Sequence, residues 1–223
     1  MALRTSYHKT GRMRFLGHLD LARTVHRALL RAELPIAFSE GFNPQPRVAF
    51  GPPVALGVEA LEEWVDLQFT EPVDAGGFLQ RVGGVLCPGL GFDRAFELPD
   101  HSPSLGSIVR WALYRVGPRD GPALDAARVE AVVASPRLEL ARRGKHAGQV
   151  AEVRARIRRL GLDGSSLVAC LACGPEGALG IVDLLQHLTG LEPPAVLSGY
   201  RIVREKLYAE RDGLEVELGP PTR

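Results

Sequence analysis

Leu98-Pro-Asp-His-Ser-Pro-Ser-Leu-Gly-Ser107 decides how this chain is divided. Two prolines, a glycine and several small polar residues interrupt any regular periodicity. They stand between two stretches that are each patterned. A boundary at 98–107 leaves units of 1–97 and 108–223, each near the size at which a small domain buries its own core.

Outward from that segment toward the N-terminus, residues 91–97 read as a strand and 74–86 as a helix diluted by four glycines. Trp64 to Phe69 alternates as a half-buried strand, with Trp64, Asp66 and Gln68 opposite Val65, Leu67 and Phe69. Arg47 to Phe50 reads as a strand and Leu3 to His8 as another. Between these two, Leu21, Val25, Ala28, Leu29 and Ala32 recur at helical spacing, so a helix is expected from an Asp20 N-cap to just before Pro35. Toward the C-terminus, strands are expected at 108–116, 137–142 and 166–172, and helices at 124–134 and 178–188. Val150, Val153, Ile157 and Leu160 recur at intervals of 3, 4 and 3, which predicts an amphipathic basic helix. Arg211-Asp-Gly213 predicts a hairpin between residues 201–210 and 214–218. Each half therefore reads as βαββαβ. The expected class is α+β, with two ferredoxin-like units in tandem.

The chain has 223 residues, 45 % apolar and 24 % charged, a balance that excludes a largely disordered or fibrous protein. No run approaches the roughly 18 apolar residues of a membrane span, and the first residues lack the apolar core of a secretory signal. Three cysteines, Cys87, Cys170 and Cys173, cannot make a paired disulfide framework. A cytoplasmic location and no membrane partner are the expectations.

The net charge of +1 conceals blocks. Residues 1–50 hold eight basic and three acidic side chains, whereas 51–100 hold two basic and nine acidic. Such blocks suggest separate surfaces with different partners. The densest basic run is Arg137, Arg142, Arg143, Lys145, Arg154, Arg156, Arg158 and Arg159, set against Glu139 and Glu152 alone. Clustered arginines of this kind can follow a phosphate backbone, or they are the solvated face of the expected helix.

Two short stretches carry the candidate chemistry. Met13-Arg-Phe-Leu-Gly-His-Leu-Asp20 places His18 and Asp20 at the head of the first helix with Arg12 and Arg14 close by. These residues read either as helix capping, as contacts to a polar substrate or RNA, or as a general acid/base pair. A metal reading would need His18 and His26 on one helix face, and no metal set is assigned. Gly41-Phe-Asn-Pro-Gln-Pro46 is a proline-stiffened loop that loses little entropy on binding. Phe42 can stack, Asn43 both donates and accepts, and Arg47 follows; alternatively the stretch is a rigid connection with Phe42 buried in the core. With Arg14 and Arg27, these residues and Arg142, Arg143, Lys145, Arg154 and Arg158 form the candidate binding set. Cys170-Leu-Ala-Cys173 is a lone CxxC on an expected strand, where positions three apart face opposite ways, and it reads as buried core. There is no GxxxxGK[ST], G-x-S-x-G or HExxH, so no cofactor of the chain's own is expected.

Phe15-Leu-Gly-His-Leu-Asp20, Arg27-Ala-Leu-Leu-Arg-Ala32, Leu34-Pro35, Ser39-Glu-Gly-Phe-Asn-Pro-Gln-Pro46 and Leu56-Gly-Val58 resemble, in order and spacing, the radical-SAM-linked family. The resemblance is specific over roughly residues 4–100 and looser beyond. Two positions depart from the family pattern: Gly17 stands where serine is usual and Gln45 where histidine is common. The resemblance implies a partner, since members are similar to a module fused to, or encoded beside, a radical S-adenosylmethionine protein. This chain has no CxxxCxxC run for an iron–sulfur cluster and looks like the stand-alone form. The expected function is therefore accessory: recognition of the substrate of a radical SAM enzyme, with RNA as one such substrate. The acidic block from Glu59 to Glu71, including Trp64, is one expected partner face. An RNA-processing protein acting alone, with His18 as general acid/base, is the alternative. A third reading is an enzyme on a small acidic substrate using His18, Asp20 and Arg47.

Overall fold

The computed structural model describes residues 1–141 and 149–220. The first half runs β1 (Ala2–Lys9), α1 (His18–Arg31), β2 (Val48–Phe50), β3 (Glu59–Gln68), α2 (Ala75–Gly83) and β4 (Leu90–Leu98), with a 3-10 turn at Gly11–Phe15. A short helix α3 (Leu105–Ile108) leads to β5 (Val109–Pro118), α4 (Ala126–Ala134), β6 (Glu139–Ala141), β7 (Val150–Glu152), β8 (Ile157–Asp163) and β9 (Ser166–Ala172). The chain then forms α5 (Ile181–Thr189), α6 (Pro193–Gly199), β10 (Tyr200–Arg211) and β11 (Leu214–Glu217). The class is mixed α and β: six helices and one large, mostly antiparallel sheet among the described residues. None of the described helices is long and apolar enough to cross a membrane.

The sheet runs β4-β1-β3-β10-β5-β9-β8, with β2 also on β3 and β11 on β10. The strands of the first half stand in the order β4-β1-β3-β2 and those of the second in the order β10-β5-β9-β8, every neighbour antiparallel. The halves join through one parallel contact, in which Val203 faces Glu59 and Arg204 faces Ala60. Beyond this sheet, β6 and β7 pair with each other.

Alternation along each strand sorts the core. Leu3 and Tyr7 of β1 and Val65 and Leu67 of β3 pack under Leu21, Val25 and Leu29 of α1 and Phe78 and Val82 of α2. In the second half Ala112, Tyr114, Leu167, Ala169 and Leu171 pack with Val129 and Val132 of α4 and Leu184, Leu185 and Leu188 of α5. The back of β3 is also covered. Trp64 is fully buried with Leu105, and Asp66 receives both Nε and Nη2 of Arg4, at 2.7 and 2.8 Å. Arg4 Nη2 also donates to the carbonyl of Pro103. The proline-rich segment after β4 thus lies against the back of the first half. Trp64 is not part of an open face: Glu59, Glu63, Trp64 and Asp66 are all buried, Glu62 is half-buried, and Glu71 at the end of the block is exposed.

The expected basic helix over 150–160 is a strand, a 3-10 turn (Arg154–Arg156) and another strand. Its apolar spacing was real but has a different cause. A bulge between Ile157 and Arg159 lets Ile157 face Leu171 while Leu160 faces Ala169, so two residues three apart share one side of the sheet. Gly190, left-handed at φ 73°, ends α5 as expected. The helix α6 just beyond it, not among the expectations from sequence, opens on Pro193-Pro194, and proline is well tolerated in a first helical turn.

The N-cap of α1 is Gly17 rather than Asp20, which lies in the first turn. Gly17 has extended backbone and offers no side-chain cap, and a Cβ there would stand 3.9 Å from Asp20 Oδ2. The serine usual in the resembling family would make a Ser-x-x-Asp capping box at this point. Its absence therefore bears on helix stability. Gly17→Ser is expected to stabilise the chain by a few tenths of a kcal/mol, read as a melting temperature about 1 °C higher by circular dichroism. A lower melting temperature would mean that the glycine is needed for something other than its cap geometry.

Candidate functional site

Helix α1 is amphipathic with two different flanks. On one flank His18 meets Phe50 edge-on, with ring centroids 5.4 Å apart, and His26, two turns later, meets Phe38 at 5.7 Å. His26 Nε2 is buried without a hydrogen-bond partner. Phe50 in turn packs on Tyr7 at 5.9 Å. This flank lies along the extended segment that carries the Phe-Asn-Pro loop. Asp20 occupies the other flank, because residues two apart on a helix point roughly 200° apart. It pairs with Arg23 at 3.3 Å, both side chains being exposed. His18 and Asp20 therefore do not face each other. Among the described residues no group of three or more His, Cys, Asp or Glu side chains could hold a metal ion.

The loop is braced at its base. The amide of Ser39 donates to the carbonyl of Gln45 and the amide of Gln45 donates to Ser39 Oγ, while Phe38 and Pro46 form an isolated bridge. Arg47 lies across that base, donating from Nε to the carbonyl of Phe38 and from Nη1 to Gln68 Oε1, each at 3.3 Å. Above it Phe42 is fully exposed and Asn43 is exposed with it. Gln45 adds an exposed amide whose Nε2 donates weakly to the carbonyl of Asn43 at 3.5 Å. The prolines hold an aromatic ring and a carboxamide out into solvent, an arrangement suited to stacking and hydrogen bonding with a ligand.

The other candidate residues are placed elsewhere. Arg14 sits over the ring of Phe15 and 3.5 Å from Glu59, which also takes Arg201 of β10 at 2.8 Å. Arg154 spends its guanidinium on the carbonyls of Val133, Ser135 and Ile157. Arg158 meets Glu210 at 2.7 Å and Glu215 at 3.3 Å, above the ring of Trp111. Those two arginines are tied into the fold of the second half. Arg142, Arg143 and Lys145 lie outside the described residues. Arg27 stands on the outer flank of α1.

Sequence reasoning did not find a buried polar row at the seam of the two halves. Arg204 reaches Glu63 Oε1 from Nε at 2.6 Å and donates to the carbonyls of Pro52 and Pro53. Both side chains of the pair are almost wholly buried. Burial works against the guanidinium's charge, but Glu63 and Tyr114 more than offset it and hold its pKa above the ordinary value. Lys9 lies buried beside them, its Nζ donating to the carbonyl of Leu16 at 3.1 Å, and burial lowers its pKa. Arg204 and Glu63 are 141 positions apart in the chain, so no local signal could reveal them.

The thiols divide by environment. Cys87 is exposed. Burial pushes Cys170 up to about 12, aided by the nearby Glu215 carboxylate, and pushes Cys173 up to about 12. Iodoacetamide is expected to alkylate one thiol per folded chain near neutral pH and all three after unfolding; rapid loss of a second thiol would show the core open. The unfolded chain releases thiol protons from about pH 8.5 upward, whereas the folded chain keeps them. Stability is thus full below that pH and falls as pH rises toward 12. Tyr7 and Tyr114, both raised by burial, act in the same direction, while the lowered Lys9 opposes them. The urea midpoint is expected to drop between pH 8 and pH 10.5.

The profile of a family described as uncharacterized proteins conserved in bacteria (DUF2344) matches residues 2–180. No curated protein matches the chain.

Proposed function

The chain belongs to this family of uncharacterized bacterial proteins, DUF2344, and from that premise we propose that it is a binding module: an accessory protein that recognises the substrate of a radical SAM enzyme, that substrate being an RNA. The observation that carries the reading is the braced loop presenting Phe42 and Asn43 to solvent. An exposed phenylalanine held at an ordered tip costs apolar hydration in the free protein and loses little entropy on contact. The radical SAM partner rests on the motif resemblance over residues 4–100. The fold we read as two ferredoxin-like units. The orders β4-β1-β3-β2 and β10-β5-β9-β8, antiparallel throughout, support that reading, and sheets of this type are common RNA platforms.

Co-expression with the radical SAM protein encoded nearest to this chain tests the proposal. The two are expected to co-elute at moderate salt and to retain RNA together. Phe42→Ala, at a fully exposed position, is expected to weaken RNA retention about tenfold, since one base–aromatic stack contributes about 1–3 kcal/mol, with an unchanged melting temperature. Clean separation of the two proteins, with RNA held by this chain alone, would overturn the accessory role in favour of a stand-alone RNA-binding protein.

A further inference from the structure

Most arginines of the described chain meet a carboxylate or a carbonyl; Arg12, Arg27, Arg31, Arg119 and Arg211 meet neither, and of these Arg27 and Arg31 share one cleft. They stand one turn apart on the outer flank of α1, both exposed, where like charges at this spacing repel. The helix macrodipole accounts for Arg31, in the last turn. It does not account for Arg27, in the middle of the helix.

The two side chains line one wall of a cleft of about 160 Å³ between α1 and the turn after α2, with Thr24 and Ala28 beside them and Val85, Leu86 and Cys87 opposite. No acidic residue lines it. Both sides are fixed. Arg81 of α2 donates to the carbonyls of Ala32 and Glu33 at the end of α1, and Cys87 Sγ lies 3.7 Å from Met13 Sδ on the turn before α1. The arrangement is therefore a held cleft with two guanidinium groups, each a planar fork of donors matched to tetrahedral oxyanions.

We propose that this cleft binds a phosphate group, with Arg27 and Arg31 as its ligands, and that in the working protein the group belongs to the backbone of the RNA strand. The second part rests on the function proposed above; the first does not. A phosphate between the two guanidinium groups removes their repulsion and satisfies donors that the fold leaves open. The apolar wall of Val85 and Leu86 leaves room for the sugar side of the strand. Cys87 on the rim makes occupancy measurable, because a filled cleft shields its thiol.

The test uses the full chain, the double variant Arg27→Ala with Arg31→Ala, and two probes: a short single-stranded RNA and inorganic phosphate. Arg119→Ala, also at an exposed arginine, is the control. RNA is expected to bind the double variant at least tenfold more weakly at low salt. The slope of log affinity against log salt should flatten by about 0.7, the contribution of the one phosphate contact that the double variant loses. RNA should also slow alkylation of Cys87 in the natural chain and not in the double variant. Equal RNA affinity and slope in both chains, with Cys87 alkylated at an unchanged rate, would overturn the cleft and leave the RNA reading standing. Protection of Cys87 by inorganic phosphate with no RNA binding would support the cleft and sink the RNA reading. No binding and no protection by either probe would overturn both.

Discussion

Arg204→Met is expected to destabilise the chain by about 3–5 kcal/mol, the usual cost of removing one partner from a buried ion pair. The variant leaves Glu63, 2 % exposed, without its cation, and it strips the carbonyls of Pro52 and Pro53 of their donor. The Glu63 carboxylate cannot turn to water without opening the seam. The seam itself is narrow in backbone terms, with only two residue pairs in register between β3 and β10. The guanidinium therefore fixes how the halves meet, binding β3 and the loop before it at once. A second change separates that role from simple bulk. Replacing both partners, Arg204→Met with Glu63→Leu, removes the stranded charge and should recover much of the loss. Urea denaturation measures both. A single variant within 1 kcal/mol of the natural chain would show that the pair contributes little.

How much of this was legible in the sequence depends on whether a signal was local. The hairpin at Arg211-Asp-Gly213, the stop at Gly190 and the first-half helices were read correctly because turn residues and helical periodicity act over a few positions. The segment 150–160 was misread because a bulge, set by pairing with β9, gave a strand the three-residue spacing of a helix. The loop that carries Phe42 was legible too, since its prolines exclude a helix. The sequence suited Phe42 equally to the core and to solvent, and only the fold leaves it exposed. The fate of the arginines was not legible. Arg158 finds Glu210 and Glu215 more than fifty positions away, and nothing near it in the chain distinguishes it from Arg27, which finds no partner. Basic density in a sequence measures supply, and only the fold decides which charges remain unspent.

Trp64→Ala is the second change expected to act strongly, and it separates two readings of the acidic block. As part of an exposed partner face, Trp64 could be truncated at a cost within about 0.5 kcal/mol, as for most surface substitutions. The indole is instead fully buried. It packs on Phe96 with centroids 5.7 Å apart, lies under the Arg94 guanidinium at 5.0 Å, and donates from Nε1 to Glu62 at 3.3 Å. Leu105, the first residue of α3, packs in the same cluster, so truncation opens a cavity where the segment after β4 closes over the sheet. A loss of about 3–5 kcal/mol is expected by urea denaturation. Trp64→Phe keeps a ring against Phe96 and should lose less. A stable Trp64→Ala chain that no longer joins its partner would restore the partner-face reading. If stability falls as expected, any loss of partner binding in this variant follows from the opened back of the sheet, and a partner surface has to be sought on side chains that the folded chain leaves exposed.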